Sequence, residues 1–195
     1  MATATKIMVI RHAEKPEGAV QGVDADGNDG KEFLIVRGWQ RAGALVRFFA
    51  PASAQFQHPG IDQPRWLFAS GPVSRKDKKK AGNGSKSYRP EQTITPLSQF
   101  LGSKVPLNLN YVEGEETQVA AAAVACEGVV LIAWQHEEIP AIADAIPGKT
   151  GVVPSKWPGD RFDVVWVFDL QANGGYSFSQ VPQMLLAGDL PSVIE

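Results

Sequence analysis

The chain has 195 residues, a length that suits one folded domain, because single domains commonly run to roughly 200–250 residues. It is 44% hydrophobic and 21% charged, so it can bury a sizeable core without disulfides. The formal net charge of −2 gives no reason to expect a nucleic acid or an anionic membrane as the main partner. The sequence therefore predicts a single domain over residues 1–195.

The cysteine content and the termini bear on the compartment. The single cysteine, Cys126, cannot form an internal disulfide, which is typical of a reducing compartment. It lies in an alanine-rich stretch, and we expect a buried, unreactive thiol. The N-terminal residues lack the apolar region of a signal peptide, and no apolar run approaches the roughly 18 residues of a membrane helix. These features predict a cytoplasmic protein.

The first half of the chain predicts two strands and a helix. The short apolar run at 7–10 is typical of a strand buried on both faces, as in a parallel sheet. A polar, glycine-rich loop follows at 24–30. Apolar residues at helical spacing predict a helix over about 38–50, which Pro51 ends. A second buried strand is expected at 66–69.

The second half continues the alternation of strands and helices. Its predicted elements are a helix from Pro90, a strand at about 105–109, a helix over about 116–126, a strand at 129–133, a helix carrying Ile139 and Ile146 inward, and two strands at 162–168 and 176–181. Such alternation predicts an α/β fold with a mostly parallel central sheet and helices on both faces. The last two strands, joined by a glycine-rich turn, predict a C-terminal antiparallel hairpin.

A basic segment separates the second strand from the helix at Pro90. The run at 75–80 carries five positive charges and one negative charge, and glycine, serine and asparagine follow it. We interpret residues 70–88 as a basic, flexible insert within the domain. A charge run is usually a solvated surface, and the alternative is that this one overhangs a binding pocket and attracts polyanionic substrates.

Two of the three histidines follow buried strands. His12 comes directly after the first strand, beside Arg11, and His136 follows the strand at 129–133. The carboxyl ends of parallel strands meet at one edge of a sheet, which is where ligands bind in such folds. Arginine binds phosphate oxygens, and a neutral imidazole can attack phosphorus. A protonated imidazole or the start of a helix can stabilise the negative charge that develops in the reaction. This arrangement predicts phosphoryl chemistry without a metal, whereas His58 is expected in a solvated loop.

Four short segments carry a resemblance to a known family. The segment at 11–16, Arg-His-Ala-Glu-Lys-Pro, resembles the Arg-His-Gly signature of the histidine phosphatases, the phosphoglycerate mutase-like family. Ala13 stands in place of the signature glycine. The segments at 37–42, 89–93 and 130–136 resemble that family's first helix, its second phosphate-binding arginine motif and the strand that delivers its second histidine.

The resemblance implies the family's single α/β domain and a set of site residues. His12 would be the nucleophile, and Arg11, Arg89 and His136 would surround the phosphoryl group. Arg75 is a rival for the second arginine, because in the family this residue comes soon after the second strand. We prefer Arg89, which alone is followed by the Gln-Thr pair.

The proton donor has two candidate positions. In the phosphoglycerate mutase branch, a glutamate between the second arginine and the second histidine donates the proton, and here Glu113, Glu115 and Glu116 lie in that interval. In the acid phosphatase branch the donor directly follows the second histidine, a place that Glu137 occupies. Glu115 and Glu116 can also be read as a solvated helix start. We retain Glu137 and Glu113 as the leading candidates.

The resemblance implies a metal-independent phosphomonoester hydrolase that forms a phosphohistidine at His12 and needs no cofactor. Its expected partner is a small phosphorylated substrate or phosphate. Neither a nucleic acid nor a membrane is expected as a partner. The alternatives are a phosphoglycerate mutase-like phosphotransferase and a phospho-ligand binding module with little turnover. A zinc hydrolase is disfavoured, because the segment at 136–138 lacks a second histidine at zinc-binding spacing.

Overall fold

The computed structural model describes residues 3–53, 55–73 and 84–195. Its strands are β1 (Ala4–Arg11), β2 (Gly22–Val23), β3 (Asp29–Gly30), β4 (Trp66–Ala69), β5 (Leu107–Asn108), β6 (Gly128–Trp134), β7 (Val164–Leu170) and β8 (Tyr176–Pro182). Its helices are α1 (Val36–Phe49), α2 (Arg89–Leu101), α3 (Glu116–Val124) and α4 (Ile139–Ala145).

Six strands form the central sheet in the order β5-β4-β6-β1-β7-β8. The four strands from β5 to β1 run parallel, and β7 and β8 add an antiparallel edge. The predicted fold class, an α/β domain with a mostly parallel sheet and a C-terminal antiparallel hairpin, is confirmed. Within the described residues, no helix has both the length and the apolar character that crossing a membrane requires.

The central strands are buried on both faces. In β1, Met8 and Ile10 pack in the cluster that contains residues of α1 and α2. Ile7 and Val9 point the other way, into the cluster that contains residues of α3 and α4. Since both faces of β1 are covered, its side chains are apolar without alternation, which is the pattern that predicted this strand. The parallel pairing of β1 with β6 places Arg11 opposite Trp134, so both strands end at the same edge.

Several boundaries differ from the prediction. The loop predicted at 24–30 follows β2, and its last two residues form β3, which pairs with β2. The strand predicted at 105–109 is only two residues long. Strands this short carry no periodic signal in the sequence. α1 begins two residues before the predicted start, and α3 ends at Val124 rather than at Cys126. Cys126 is half-buried, and burial raises the pKa of its thiol.

The basic insert is only partly described. The run at 75–80, with Arg75, lies outside the described residues, and its predicted flexibility stays a prediction. The described residues on either side of the gap lie together, because the backbone N–H of Val73 donates to the carbonyl of Ser85 at 2.8 Å. The backbone N–H of Gly84 donates to the carbonyl of Glu113. These residues of the insert therefore lie beside the segment that carries Glu113.

Helix α1 lies directly against the segment that follows β1. The backbone N–H of Ile35 donates to the carbonyl of Glu14 at 3.1 Å. A Cβ atom at Gly38 would lie 2.6 Å from that same carbonyl oxygen, a distance that real Cβ atoms do not show. Glycine at position 38 therefore lets the helix approach the segment beside His12.

Replacing Gly38 with alanine is expected to lower the free energy of unfolding by about 1–3 kcal/mol, because the new methyl group meets backbone atoms that cannot move aside. Gly43→Ala in the same helix is the matched control, since a Cβ there meets nothing within 4 Å. It should stabilise the protein by up to about 1 kcal/mol. Urea unfolding measures both variants, and equal effects would contradict the close approach.

Candidate active site

Arg11, the last residue of β1, is held from one side only. Its Nη1 donates to the carbonyl oxygens of Gly159 at 2.7 Å, Arg161 at 3.1 Å and Pro158 at 3.3 Å. The guanidinium carbon lies 3.7 Å from the ring centroid of Phe162, a cation–π contact. Burial lowers the pKa of Arg11 to about 10, which leaves it cationic at neutral pH. Its Nε and Nη2 are buried and have no hydrogen-bond partner in the described part of the chain.

His12 is buried, and one hydrogen bond fixes its tautomer. Its Nδ1 lies 2.7 Å from the carbonyl oxygen of Ala13. Because a carbonyl can only accept, Nδ1 carries the proton of the neutral ring and the lone pair is on Nε2. Burial, with the charges of Arg89 and Arg11, holds the pKa of His12 well below its ordinary value. The ring is therefore neutral at neutral pH, which is the form that can attack phosphorus.

Arg89 begins helix α2 and is half-buried. Its Nη1 donates to the carbonyl of Lys31 at 3.1 Å, and its Nε is buried without a partner among the described residues. Burial lowers the pKa of this arginine. The structure thus places Arg89 at the same site as His12, whereas its rival Arg75 lies outside the described residues.

The Gln-Thr pair that follows Arg89 ties helix α2 to the segment after β1. The Thr93 hydroxyl accepts the backbone N–H of Ala13 at 2.8 Å and donates to the carbonyl of Arg89 at 2.7 Å. The Gln92 side-chain oxygen accepts the backbone N–H of Leu34. The pair therefore positions the site and contributes no free group to it. At position 13, the amide of the alanine that replaces the signature glycine is already engaged.

His136 lies two residues beyond β6, in a turn in which the N–H of Glu138 donates to the carbonyl of Gln135. Its Nδ1 lies 2.7 Å from Oε2 of Glu137, but the direction of this contact is not that of a hydrogen bond. Burial and the charge of Arg11 lower the pKa of His136 to about 4 against the opposing effect of Glu137. The imidazole that was expected to be protonated is therefore neutral at neutral pH, because burial and the nearby cations disfavour its charged form.

The helix expected to add positive dipole at this site follows the turn that carries His136. Helix α4 begins at Ile139, after the turn, and has only seven residues. Its macrodipole is correspondingly small, and it begins three residues past the second histidine. The positive potential at the site comes from the arginine side chains.

His12, Arg89 and His136 line a cavity of about 310 Å³ whose lining residues are all polar or charged. The lining residues are His12, Lys15, Ser85, Arg89, Glu113, Gln135, His136, Glu137 and Glu138. Cationic side chains and carboxyl groups thus meet in one cavity. Within the described ranges, no group of three or more His, Cys, Asp or Glu side chains is placed to hold a metal ion.

The candidate proton donors separate by position. Glu113 and Glu137 line the cavity. The carboxyl of Glu116 is buried and accepts the indole N–H of Trp134 at 2.9 Å, and that of Glu115 accepts the backbone N–H of Val112. Glu115 and Glu116 therefore serve local structure, and neither lines the cavity.

Besides Ser85 of the insert, three further lining residues had no predicted role. Lys15 belongs to the first motif, and Gln135 and Glu138 flank the pair His136-Glu137. Burial raises the pKa of Glu138, and the nearby carboxylates of Glu116, Glu113 and Glu137 add to the effect. Their nearness in sequence to the two histidines was the available signal.

The unpaired polar atoms identify what the cavity can bind. In the described part of the chain, every buried side-chain nitrogen or oxygen without a hydrogen bond belongs to four residues of this site. They are Nε and Nη2 of Arg11, Nε of Arg89, Oε1 of Gln135 and Nδ1 of His136. An unpaired buried polar group costs about 1–3 kcal/mol, so a cluster of such groups favours a bound ligand. Since the arginine atoms are cationic donors, the cluster can bind an anion with several oxygens.

An ionic network supports the segment after His12. The buried Arg41 on α1 pairs with Glu14 at 2.8 Å and with Asp189 at 2.7 Å, and Arg37 pairs with Glu14 at 3.2 Å. The amide oxygen of Gln183 accepts a further bond from Arg41. The segment at 37–42 therefore holds Glu14, and the C-terminal segment completes the network.

Comparison with known proteins adds a similarity of structure. No protein-family model matches the chain, and no curated protein matches it. A solved structure of the protein histidine phosphatase SixA, complexed with tungstate, aligns with a TM-score of 0.48 at 15% identity over 91% of this chain and 97% of that chain. The putative phosphohistidine phosphatase SixA from Agrobacterium tumefaciens aligns with a TM-score of 0.46 at 18% identity, over 85% and 91%.

The two depressed histidine pKa values predict an acid-sensitive fold. Below the ordinary histidine pKa of about 6.5, His12 and His136 become protonated in the unfolded chain but stay neutral in the folded protein. The free energy of unfolding should therefore fall as the pH drops from about 6.5 towards about 4, the folded pKa of His136. Urea unfolding across this range measures the slope. His136→Asn should reduce it, His58→Asn on an exposed loop should not, and equal slopes in all three proteins would contradict the prediction.

Proposed function

We propose that this protein is a phosphomonoester hydrolase that forms a phosphohistidine at His12. The observation that carries the proposal is the cluster of unpaired arginine donors around a neutral imidazole whose proton is fixed on Nδ1. Unpaired buried donors match phosphoryl oxygens, and the lone pair on Nε2 matches the phosphorus atom. The cavity volume and its wholly polar lining suit a small, polar phosphorylated substrate.

The first half-reaction transfers the phosphoryl group to the protein. Arg11 and Arg89 bind the non-bridging oxygens through their unpaired N–H groups, and Nε2 of His12 attacks phosphorus in line with the leaving oxygen. The bond from phosphorus to the leaving oxygen breaks, and its electron pair stays on that oxygen. A bound phosphate dianion raises the proton affinity of His136, which then donates to a phosphoryl oxygen.

The second half-reaction returns the enzyme to its first state. Water attacks the phosphohistidine, the bond from phosphorus to Nε2 breaks, and phosphate leaves. In the first step, a carboxyl group donates a proton to the leaving alkoxide. In the second step, the same group is ionised and accepts a proton from the attacking water. We propose Glu137 or Glu113 for this role, and we add Glu138, whose pKa is raised in the cavity.

Leaving-group dependence identifies the proton donor. Glu137→Gln, Glu113→Gln and Glu138→Gln are each assayed with an aryl phosphate and with glycerol phosphate, in the presence of a chelator. The variant that lacks the donor should lose about 100- to 10,000-fold on glycerol phosphate and far less on the aryl phosphate, whose leaving group needs no proton.

Glu115→Gln, outside the cavity, is the control for these variants. Equal losses on both substrates in all three cavity variants would contradict a carboxyl donor. Chelator-resistant hydrolysis by the unaltered protein tests the function itself. Tight phosphate binding without any turnover would support a binding module instead.

A further inference from the structure

Gln135 has one satisfied end and one unpaired end. The side chain is 6% exposed, lines the cavity, and comes between the end of β6 and His136. Its Nε2 donates to the hydroxyl of Ser70 at 3.1 Å, and Ser70 is fully buried after β4. Its Oε1 is buried without a hydrogen-bond partner in the described residues. A buried amide group in this condition lacks a ligand.

The amide and the hydroxyl can exchange roles together. A half-turn about the last side-chain bond swaps the nitrogen and oxygen of Gln135 and leaves its shape unchanged. The Ser70 hydroxyl can donate as well as accept, so it then donates to Oε1. In that arrangement the amide N–H takes the place of the unpaired oxygen, on a side chain that lines the cavity. Phosphoryl oxygens of a dianion only accept, so a bound phosphate favours the N–H orientation and disfavours a carbonyl facing it.

We infer that Gln135 is a further catalytic residue, which binds a non-bridging phosphoryl oxygen through its side-chain N–H while Ser70 holds its oxygen. The inference rests on the proposed function. It makes Gln135 the neutral member of the phosphoryl-binding set formed with Arg11 and Arg89. It also gives Ser70, on a neighbouring strand, the role of a positioning residue.

The test is the binding of inorganic phosphate, measured by calorimetry at about pH 8 for the unaltered protein and three variants. Gln135→Met keeps the length of the side chain and removes the donor, and its affinity should fall about 10- to 100-fold. Gln135→Glu replaces the donor with a negative charge and should lose more than Gln135→Met does. Ser70→Ala should lose less, because the amide stays in place without its anchor. Thermal unfolding confirms that each variant folds.

A pH series separates a direct contact from a structural role. The Gln135→Glu variant should regain affinity relative to the unaltered protein between about pH 8 and about pH 5, because a protonated carboxyl becomes a neutral donor. Gln135→Met should show no such recovery. Unchanged phosphate affinity in folded Gln135→Met would overturn the inference and leave the proposed function intact. Absence of phosphate binding by the unaltered protein would overturn both.

Discussion

Replacing His12 with alanine is expected to lower phosphomonoester hydrolysis at least about 1,000-fold, with the fold and phosphate binding retained. The reason is chemical, since the variant lacks the lone pair on Nε2 while the donors of Arg11 and Arg89 remain. Among the described residues, the His12 side chain makes no hydrogen bond to another strand, and its backbone N–H still donates to the carbonyl of Trp134. Steady-state assays with an aryl phosphate measure the loss.

The control for this variant is His58→Ala, because His58 lies on an exposed loop away from the cavity. It should hydrolyse the substrate at the rate of the unaltered protein. Turnover by His12→Ala within about tenfold of the unaltered rate would show that another group attacks phosphorus. In that event the hydrogen bond that fixes the tautomer of His12 would serve the structure and not the reaction.

Arg11→Lys is expected to lower kcat/KM by about 100- to 1,000-fold, although the positive charge is kept. Nη1 of the guanidinium donates to three carbonyl oxygens, and the group stacks on Phe162. Nε and Nη2 remain unpaired and can bind the phosphoryl group. A lysine ammonium is a single point of charge. Once bonded to those carbonyls, it cannot also present two aligned donors to the substrate.

Arg47→Lys is the matched control, because Arg47 also stacks on a ring, that of Phe100, with its guanidinium carbon 4.7 Å from the ring centroid. It lies on the exposed side of α1, and its replacement should leave kcat/KM unchanged. A normal kcat/KM in Arg11→Lys would mean that a point charge suffices. It would contradict the proposal that Nε and Nη2 of Arg11 bind the phosphoryl group.

The meeting of the two histidines follows from strand order, and for this reason it could be predicted. Continuous apolar runs marked β1 and β6 as parallel strands buried on both faces. Parallel strands end at a common edge, and the pairing of Arg11 with Trp134 puts the residues beyond them side by side. The alternation of helices and strands likewise fixed the fold class, because it left few topologies open.

The surroundings of Arg11 could not be predicted. The carbonyls that hold its guanidinium, and the ring of Phe162, belong to an irregular segment at 158–162, about 150 residues away along the chain. An irregular segment has no periodic sequence pattern from which its contacts could be predicted. The contact of Asp189 with Arg41 is equally remote. Gln135 and Lys15 were visible in the sequence, but only the cavity gives them a position at the site.

The phosphohistidine at His12 is tested most directly by trapping it. The protein is mixed with an excess of aryl phosphate in the presence of a chelator, quenched in alkali within its first turnovers, and examined by mass spectrometry of the intact chain and of its peptides. A phosphohistidine mechanism predicts one added phosphoryl group, located on His12 and absent from His12→Ala. Hydrolysis that proceeds with the phosphoryl group on another residue, or with none attached to the protein at any time, would contradict it.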